Sequence, residues 1–165
     1  MLLEWLSYIT TPCSKLARKL GYLHEAIAIR ERHSRQKKSW QPHLDRSREF
    51  ILKSAAQCRE SGTVVILGSG SLLDVPLEQL ASSFEQVYLV DIIHLPKVRK
   101  QIRHHPNVQL IEADLTCLGE LLLDKSTDSP PPFPKAPVLP IQGKVDLVVS
   151  LNLLSQLPLN PVDLL

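Results

Sequence analysis

The chain has 165 residues and a net charge of +2, with 44% hydrophobic and 22% charged residues. This composition is typical of a soluble globular protein with one core, and the length excludes two sizeable domains. The three cysteines are odd in number and widely spaced, so they suggest neither a disulfide framework nor a zinc site. We therefore expect a cytoplasmic protein without a bound metal.

Residues 1–60 are predicted to form a helical N-terminal cap. The apolar opening contains Glu4, lacks a basic leader and is interrupted by Thr11-Pro12, so it fits neither a signal peptide nor a membrane span. Thr11-Pro12 instead predicts the start of a helix, and Pro42 predicts the start of a second one that ends at Ser61-Gly62. Four apolar residues share one face of the first helix: Leu16, Leu20, Leu23 and Ile27.

A basic run lies between these two helices and consists of Arg30, Arg32, Arg35, Lys37 and Lys38. Such a run can contact nucleic acid or an anionic substrate, but a solvated helix face is the simpler interpretation because the whole chain is nearly neutral. We therefore find no strong signal for nucleic-acid binding in the sequence alone. Trp40 and His43, which flank Pro42, fit either part of a substrate pocket or a packed hinge.

A β-branched run that ends in two closely spaced glycines follows, with the sequence Val64-Val65-Ile66-Leu67-Gly68-Ser69-Gly70-Ser71. The apolar run predicts a buried parallel strand, and glycine after it lets the backbone turn tightly and approach a ligand. Such a turn also occurs where no ligand binds. Asp74 is predicted to cap the next helix, Leu77 to Phe84.

Two further apolar runs each lead to an acidic residue. Val87-Tyr88-Leu89-Val90 ends at Asp91, and Val108-Gln109-Leu110-Ile111 leads to Asp114. Because the carboxyl ends of parallel strands meet at one edge of the sheet, we expect the glycine turn, Asp91 and Asp114 to converge there. Adjacent His104 and His105 make a poor metal pair.

A fourth strand is predicted from Val145 to Val149 and is expected to be buried on both faces. The Pro-rich residues 129–140 precede it and are predicted to form an exposed, extended insert, because proline removes a hydrogen-bond donor and fixes φ. Ser150 ends the strand, and Asn152 and Gln156 follow.

These segments resemble the class I S-adenosylmethionine-dependent methyltransferases over roughly residues 43 to 160. The resemblance implies an α/β fold, a Rossmann-like, doubly wound and mostly parallel sheet after an α-helical N-terminal segment, with residues 61–165 as the cofactor-binding unit. It implies that Gly68 and Gly70 cradle the methionine part of S-adenosyl-L-methionine, that Asp91 holds the ribose and that Asp114 meets the adenine.

The cofactor candidates are Gly68, Ser69, Gly70, Ser71, Asp91, Ile92, Asp114, Leu115 and Ser150, and the catalytic candidates are Asn152, Gln156 and His43. The sulfonium of this cofactor is already activated, so methyl transfer needs alignment and desolvation more than acid or base groups. The sequence does not choose between a small molecule and a protein as the methyl acceptor.

The chain departs from the family pattern at the glycine turn. Ile66 stands where an acidic residue often precedes the first glycine, and Ser71-Leu72 fill the space of a third glycine, which predicts a wider turn. A dinucleotide-binding oxidoreductase domain is the rival interpretation. Its fingerprint requires glycine where this chain has Leu73, and it leaves Asp114 without a role.

The chain ends at Leu165, where a family domain normally continues through three more strands. We therefore expect a sheet that is incomplete at its C-terminus and that self-associates through an uncovered edge. Two functions stay open: a methyltransferase, and a non-catalytic cofactor-binding or scaffold module completed by another chain.

Overall fold

The computed structural model describes residues 8–119 and 136–150. This part of the chain contains a four-stranded, all-parallel sheet with the strand order β3-β2-β1-β4. The strands are β1 (Thr63–Leu67), β2 (Gln86–Asp91), β3 (Val108–Glu112) and β4 (Leu147–Val149). The predicted α/β class, with a Rossmann-like parallel sheet after a helical N-terminal segment, is confirmed.

Among the helices that lie entirely within the described residues, three precede the sheet and one follows each of β1 and β2. The helices are α1 (Lys15–Lys19), α2 (Tyr22–Arg35), α3 (Lys37–Ala55), α4 (Leu77–Ser83) and α5 (Pro96–Gln101), and a 3₁₀ turn (Ile102–His104) follows α5. Within residues 8–119 and 136–150, no helix is long and apolar enough to cross a membrane.

The two faces of the sheet are covered differently. On one face, strand residues such as Val64 and Leu89 pack against Ile51 of α3, Leu80 of α4 and Val98 of α5. On the opposite face, four buried strand residues contact chain without regular structure. These strand residues are Val65, Tyr88, Val90 and Ile111, and the segment that contacts them contributes Leu139, Ile141 and Val145.

The N-terminal helices pack against the loops that follow β2 and β3. Leu23 and Ile27 of α2 form a separate buried cluster with Ile93 and Leu95, which follow β2. After β3, the backbone of Gly119 lies so close to Leu16 and Leu20 that a Cβ at this glycine would come within 3.0 Å of both side chains. Helices α1 and α2 are thereby held at the carboxyl edge of the sheet.

The predicted single helix after Thr11-Pro12 is wrong, because the chain forms two helices there. Ser14, rather than Pro12, starts α1, since its Oγ accepts a hydrogen bond from the Ala17 N–H at 3.0 Å. Gly21 then separates α1 from α2 with a left-handed φ of 78°. Glycine adopts this conformation without the steric cost that a side chain would impose.

The prediction that Pro42 starts a helix ending at Ser61-Gly62 is also wrong. Helix α3 begins at Lys37, contains Pro42 in its interior and ends at Ala55. Proline there removes the N–H that would bond the carbonyl of Lys38. The helix persists because Leu44 and Ile51 are buried farther along it, so packing outweighs this local preference.

Two predictions nearer the sheet need correction. Pro76, rather than Asp74, occupies the N-cap position of α4, and no side-chain hydrogen bond caps that helix. Strand β4 covers only Leu147–Val149, and Val148 is 56% exposed rather than buried. Val148 pairs with Val65, but the segment that covers Val65 leaves Val148 open to solvent.

Candidate functional site

The carboxyl edge of β1 and β4 is the place where this sheet topology favours a ligand. From β1 the chain adds β2 and then β3 on one side, whereas β4 lies on the other side. In open α/β sheets the loops on the two sides of such a switch point diverge and leave a crevice at the carboxyl ends of the strands. The glycine turn follows β1 at this edge, and Ser150 follows β4.

The glycine turn has an unusual alternating backbone. Gly68, Gly70 and Leu72 have φ values of 71°, 51° and 57°, whereas the intervening serines have negative φ. Alternation of this kind can direct backbone N–H groups towards a negative group. In this turn the N–H groups of Gly68, Ser69, Gly70 and Leu72 all bond within the chain. Leu72 adopts the left-handed conformation despite its side chain, which is a local strain of about 1–2 kcal/mol.

The turn is tied to the end of β2 by three hydrogen bonds. The N–H groups of Gly68 and Ser69 donate to the Val90 carbonyl at 2.9 and 3.1 Å. The Gly70 N–H donates to Oδ2 of Asp91 at 2.7 Å. The turn after β1 and the acidic residue at the end of β2 therefore form one unit.

Asp91 accepts several backbone hydrogen bonds in a partly buried position. Its Oδ1 accepts from the Ile92 N–H at 2.8 Å, and its Oδ2 accepts from the Gly70 N–H. Burial raises the pKa of the Asp91 carboxyl, and these hydrogen bonds together with His94 oppose that rise. A carboxylate offers about four acceptor positions, so the N–H donors of Gly70 and Ile92 leave at least one for a ligand.

His94 is a functional candidate that the sequence reasoning missed. Its ring is fully buried, and Nε2 lies 3.2 Å from the Ile111 carbonyl. Burial lowers the pKa of His94, so the ring is neutral, and because a carbonyl only accepts, Nε2 carries the hydrogen. Nδ1 is then an acceptor without a hydrogen-bond partner in the described part of the chain. A lone polar residue in the run Ile92-Ile93-His94-Leu95 was the available signal.

Ser69 carries the second unpaired polar atom of this edge. The residue is 1% exposed, and its Oγ has no hydrogen-bond partner among the described residues. Ser69 precedes Gly70, and His94 follows Asp91 by three positions, so both unpaired atoms belong to the unit that the Gly70–Asp91 hydrogen bond joins. A buried polar group without a partner costs about 1–3 kcal/mol, which makes this pair a marker of a ligand or water position.

Asp114, the acid predicted to meet the adenine, caps the turn after β3. Its Oδ1 accepts from the N–H and the hydroxyl of Thr116 at 2.9 and 2.6 Å, and its Oδ2 accepts from the Gly119 N–H at 2.8 Å. Three of its four acceptor positions are thereby used. Tyr22 lies on this side, where burial, followed by the charge of Asp114, raises the pKa of its hydroxyl.

No protein-family model, curated protein or solved structure matches this chain. Across residues 8–119 and 136–150, no three His, Cys, Asp or Glu side chains are grouped as a metal site.

The structure brings most of the predicted cofactor residues to one edge. Five of them form the unit around the Gly70–Asp91 hydrogen bond: Gly68, Ser69, Gly70, Asp91 and Ile92. Ser71 is the next residue of the turn. Asp114 follows the neighbouring strand β3, and Leu115 packs into the apolar face of the sheet with Val90.

The remaining candidates lie elsewhere. Ser150 is exposed at the end of β4 and lines a shallow apolar depression with Phe50 and Ile51 of α3. His43 is exposed on α3, outside the unit formed by the glycine turn and Asp91. Asn152 and Gln156 lie outside the described residues.

Proposed function

We propose that this chain binds S-adenosyl-L-methionine at the carboxyl edge of its sheet and is a methyltransferase. One observation carries the proposal: the 2.7 Å hydrogen bond from the Gly70 N–H to Asp91 Oδ2 joins the ends of two adjacent parallel strands beside the switch point. A ribose hydroxyl can donate to a remaining acceptor position of Asp91, directly beside the glycine turn.

The residues of the turn fit the amino-acid end of this cofactor. The Ser71 N–H has no hydrogen-bond partner in the part of the chain that the structure describes, and it lies in the alternating turn. This N–H can donate to one oxygen of a carboxylate. The unpaired Oγ of Ser69 adds a hydroxyl that can donate or accept.

The bound cofactor would supply a methyl group already activated on its sulfonium, so the protein has to orient it and exclude water. Asp91 and the glycine turn would orient the ribose and the amino-acid end. The start of α2, with Tyr22 beside Asp114, would cover the side predicted for the adenine. Because Asp114 already caps a turn, at most about one acceptor position is left there for a ligand.

The dinucleotide alternative has less support. A dinucleotide site places its pyrophosphate against a helix N-terminus directly after the glycine turn. In this chain α4 begins only at Leu77, after Pro76, so the turn is separated from the helix. Leu73 also stands where the third glycine is required.

Isothermal calorimetry with the full chain tests the proposal. We expect S-adenosylmethionine to bind and Asp91→Ala to weaken binding at least about tenfold, because a hydrogen bond to a charged group contributes about 1.5–3 kcal/mol. Glu78→Gln, which removes an exposed carboxylate on α4, is the matched control and should bind like the wild type.

Equal affinities of the wild type and Asp91→Ala, or tighter binding of NAD, would overturn the proposal. Cofactor binding without methyl transfer to small-molecule, protein or nucleic-acid acceptors would instead support a non-catalytic cofactor-binding module.

We also infer a cytoplasmic location and self-association as parts of this proposal. Cys13, Cys58 and Cys117 are all free, which suits a reducing compartment. In the described residues β4 pairs only with β1, and the exposed Val148 lies on this edge strand. A monomeric mass by light scattering would contradict the self-association.

A further inference from the structure

The corner between α2 and α3 concentrates positive charge. We call residues 32–44 the basic corner, because this window contains four Arg or Lys residues and no Asp or Glu. The whole chain has a net charge of +2, so the residues outside the corner are net acidic by two charges. Arg32 pairs with Glu25, but Arg35, Lys37 and Lys38 form no ion pair with any described residue and are exposed.

The direction of α3 determines where this corner stands. Near the middle of the helix, the Arg48 guanidinium donates to the carbonyl of Leu73, which follows β1 at the carboxyl edge of the sheet. Beyond the end of the helix, the Cys58 thiol lies 3.7 Å from the Asp146 carbonyl, which precedes β4 at the opposite edge. Helix α3 therefore runs antiparallel to the strands.

The first residues of α3 consequently project past the carboxyl edge. Lys37 precedes Arg48 by eleven positions, which corresponds to about 16 Å of helix. Helix α2 leads to the same corner from Tyr22, beside Asp114, over about 20 Å to Arg35. The basic corner thus stands at the same end of the sheet as the glycine turn and Asp91.

An aromatic ring is held at the basic corner. The Trp40 ring centroid lies 5.8 Å from that of His33, with the planes tilted by 57°. The indole Nε1–H of Trp40 also donates to Gln36 Oε1 at 3.3 Å. Unpaired cations next to a positioned aromatic ring are the groups with which proteins hold single-stranded nucleic acid, since the cations meet phosphates and the ring stacks on a base.

We propose that the basic corner binds single-stranded nucleic acid and presents it to the candidate site as the methyl acceptor. The presentation as acceptor rests on the proposed methyltransferase function, whereas the binding itself does not. An acidic protein would use the same cations but would gain little from the held Trp40 ring. The nucleic acid therefore fits this surface better.

Fluorescence anisotropy with a short labelled oligonucleotide tests the binding, with RNA and DNA of the same sequence as separate arms. The corner variant carries Arg35→Glu, Lys37→Glu and Lys38→Glu. The matched control carries Lys97→Glu, Lys100→Glu and Arg103→Glu, which change the same charge at exposed positions on and after α5.

We expect the corner variant to bind at least tenfold more weakly than the wild type and the control to stay within about threefold of it, because only the corner cations would contact phosphates. Three phosphate contacts to a single strand also account for about two units of the slope of log K against log salt, so the corner variant should lose that much slope.

Replacement of Trp40 separates stacking from charge. Trp40→Ala should weaken binding by about fivefold or more at an unchanged salt slope, whereas Trp40→Phe should retain most of the affinity. A preference for RNA or for DNA identifies the source of the acceptor, and either one supports the proposal.

Three outcomes would overturn the proposal: no binding by the wild type at low salt, equal weakening in the control variant, or displacement of the oligonucleotide by polyglutamate at the same phosphate-equivalent concentration. The last outcome would indicate that the partner of the basic corner is an acidic protein. The anisotropy assay contains no cofactor. If the oligonucleotide does not bind but S-adenosylmethionine does, only the proposal for the basic corner is rejected. Failed cofactor binding with intact oligonucleotide binding would reject only the methyltransferase.

Discussion

Each end of the sheet has an aspartate that accepts backbone N–H groups, Asp91 at the carboxyl edge and Asp146 at the amino edge. Oδ2 of Asp146 accepts from the Thr63 N–H at 2.9 Å, and Lys144 lies 3.4 Å from its Oδ1. These hydrogen bonds, chiefly the one from Thr63, lower the pKa of Asp146. Burial instead raises the pKa of Asp91. The surroundings thus favour the charge of Asp146 and disfavour that of Asp91.

The other residues of the two edges differ in the same way, with unfavourable features at the carboxyl edge and satisfied hydrogen bonds at the amino edge. The carboxyl edge contains the unpaired Ser69 Oγ and His94 Nδ1 and the left-handed Leu72, whereas at the amino edge Asp146 and Thr63 satisfy each other through backbone and side-chain hydrogen bonds. Unfavourable features concentrated at one place are typical of functional sites, where stability is lost in exchange for binding. The amino edge is thus the part that stabilises the fold, and the carboxyl edge is the part for which we propose ligand binding.

The largest differences between the two edges are expected when each aspartate is replaced by asparagine. Because the folded-state pKa of Asp91 is raised, its ionised form opposes folding at neutral pH, and Asp91→Asn should melt at the same or a higher temperature. The same variant should lose at least about tenfold in S-adenosylmethionine affinity. Asp146→Asn should melt at a lower temperature and keep its cofactor affinity. Calorimetric melting and titration of both variants measure these effects.

At low pH the wild type and Asp146→Asn should have the same stability. The folded-state pKa of Asp146 is lowered, so its contribution is complete above the unfolded value of about 3.9 and is lost as pH falls through the folded value. A larger loss of stability in Asp91→Asn than in Asp146→Asn would contradict the assignment of the two edges.

His94 should make the carboxyl edge sensitive to mild acid. The fold holds a neutral His94, whereas the unfolded chain binds a proton below about pH 6.5, so stability should fall as pH drops below that value. One proton limits the slope to about 1.4 kcal/mol per pH unit. The neighbouring charges are Asp91 and Glu112, which favour the protonated ring, and Arg99, which disfavours it.

Urea unfolding at several pH values compares His94→Leu with the exposed His104→Leu. Between pH 5 and 6.5, the dependence of the unfolding free energy on pH should become weaker only in His94→Leu. If it persists there, another group causes the acid sensitivity.

Two glycines with positive φ provide a further test of the two edges, with smaller expected effects. A Cβ at Gly70 would meet only the Gly68 carbonyl at 3.9 Å, and one at Gly143 would meet nothing within 4 Å. Alanine at either position should therefore destabilise the fold through its φ alone, by about 1 kcal/mol. Only Gly70→Ala should also lower the affinity for S-adenosylmethionine, because Gly143 lies away from the glycine turn. Unequal unfolding energies, or equal cofactor affinities, would contradict this.

The sequence predicted the sheet well because the strand signals are local. The runs that end at Leu67, Asp91 and Glu112 are predominantly apolar, and glycine or an acid marks their ends. The N-terminal helices were predicted less accurately. Gly21 breaks the expected helix and Pro42 does not start one, because burial of residues such as Leu44 decides those boundaries.

The candidate site was predictable in position but not in detail. The convergence of the glycine turn and Asp91 follows from strand parallelism alone. The burial of His94 was not predictable, because it depends on how the loop after β2 lies against the end of β3. The capping role of Asp114 follows from its spacing to Thr116, because an aspartate side chain commonly accepts a hydrogen bond from the backbone two residues on.

The pairing of β1 with β4 has a consequence for how the molecule folds. Thr63 pairs with Gln86 in β2, 23 positions along the chain, but its partner beside β4, Asp146, is 83 positions away. Closing the longer loop costs more chain entropy, and contacts between distant segments slow folding. We therefore expect β1, β2 and β3 to associate first and the crevice beside β4 to form last. A ligand that needs both walls of this crevice would bind only chains that have finished folding.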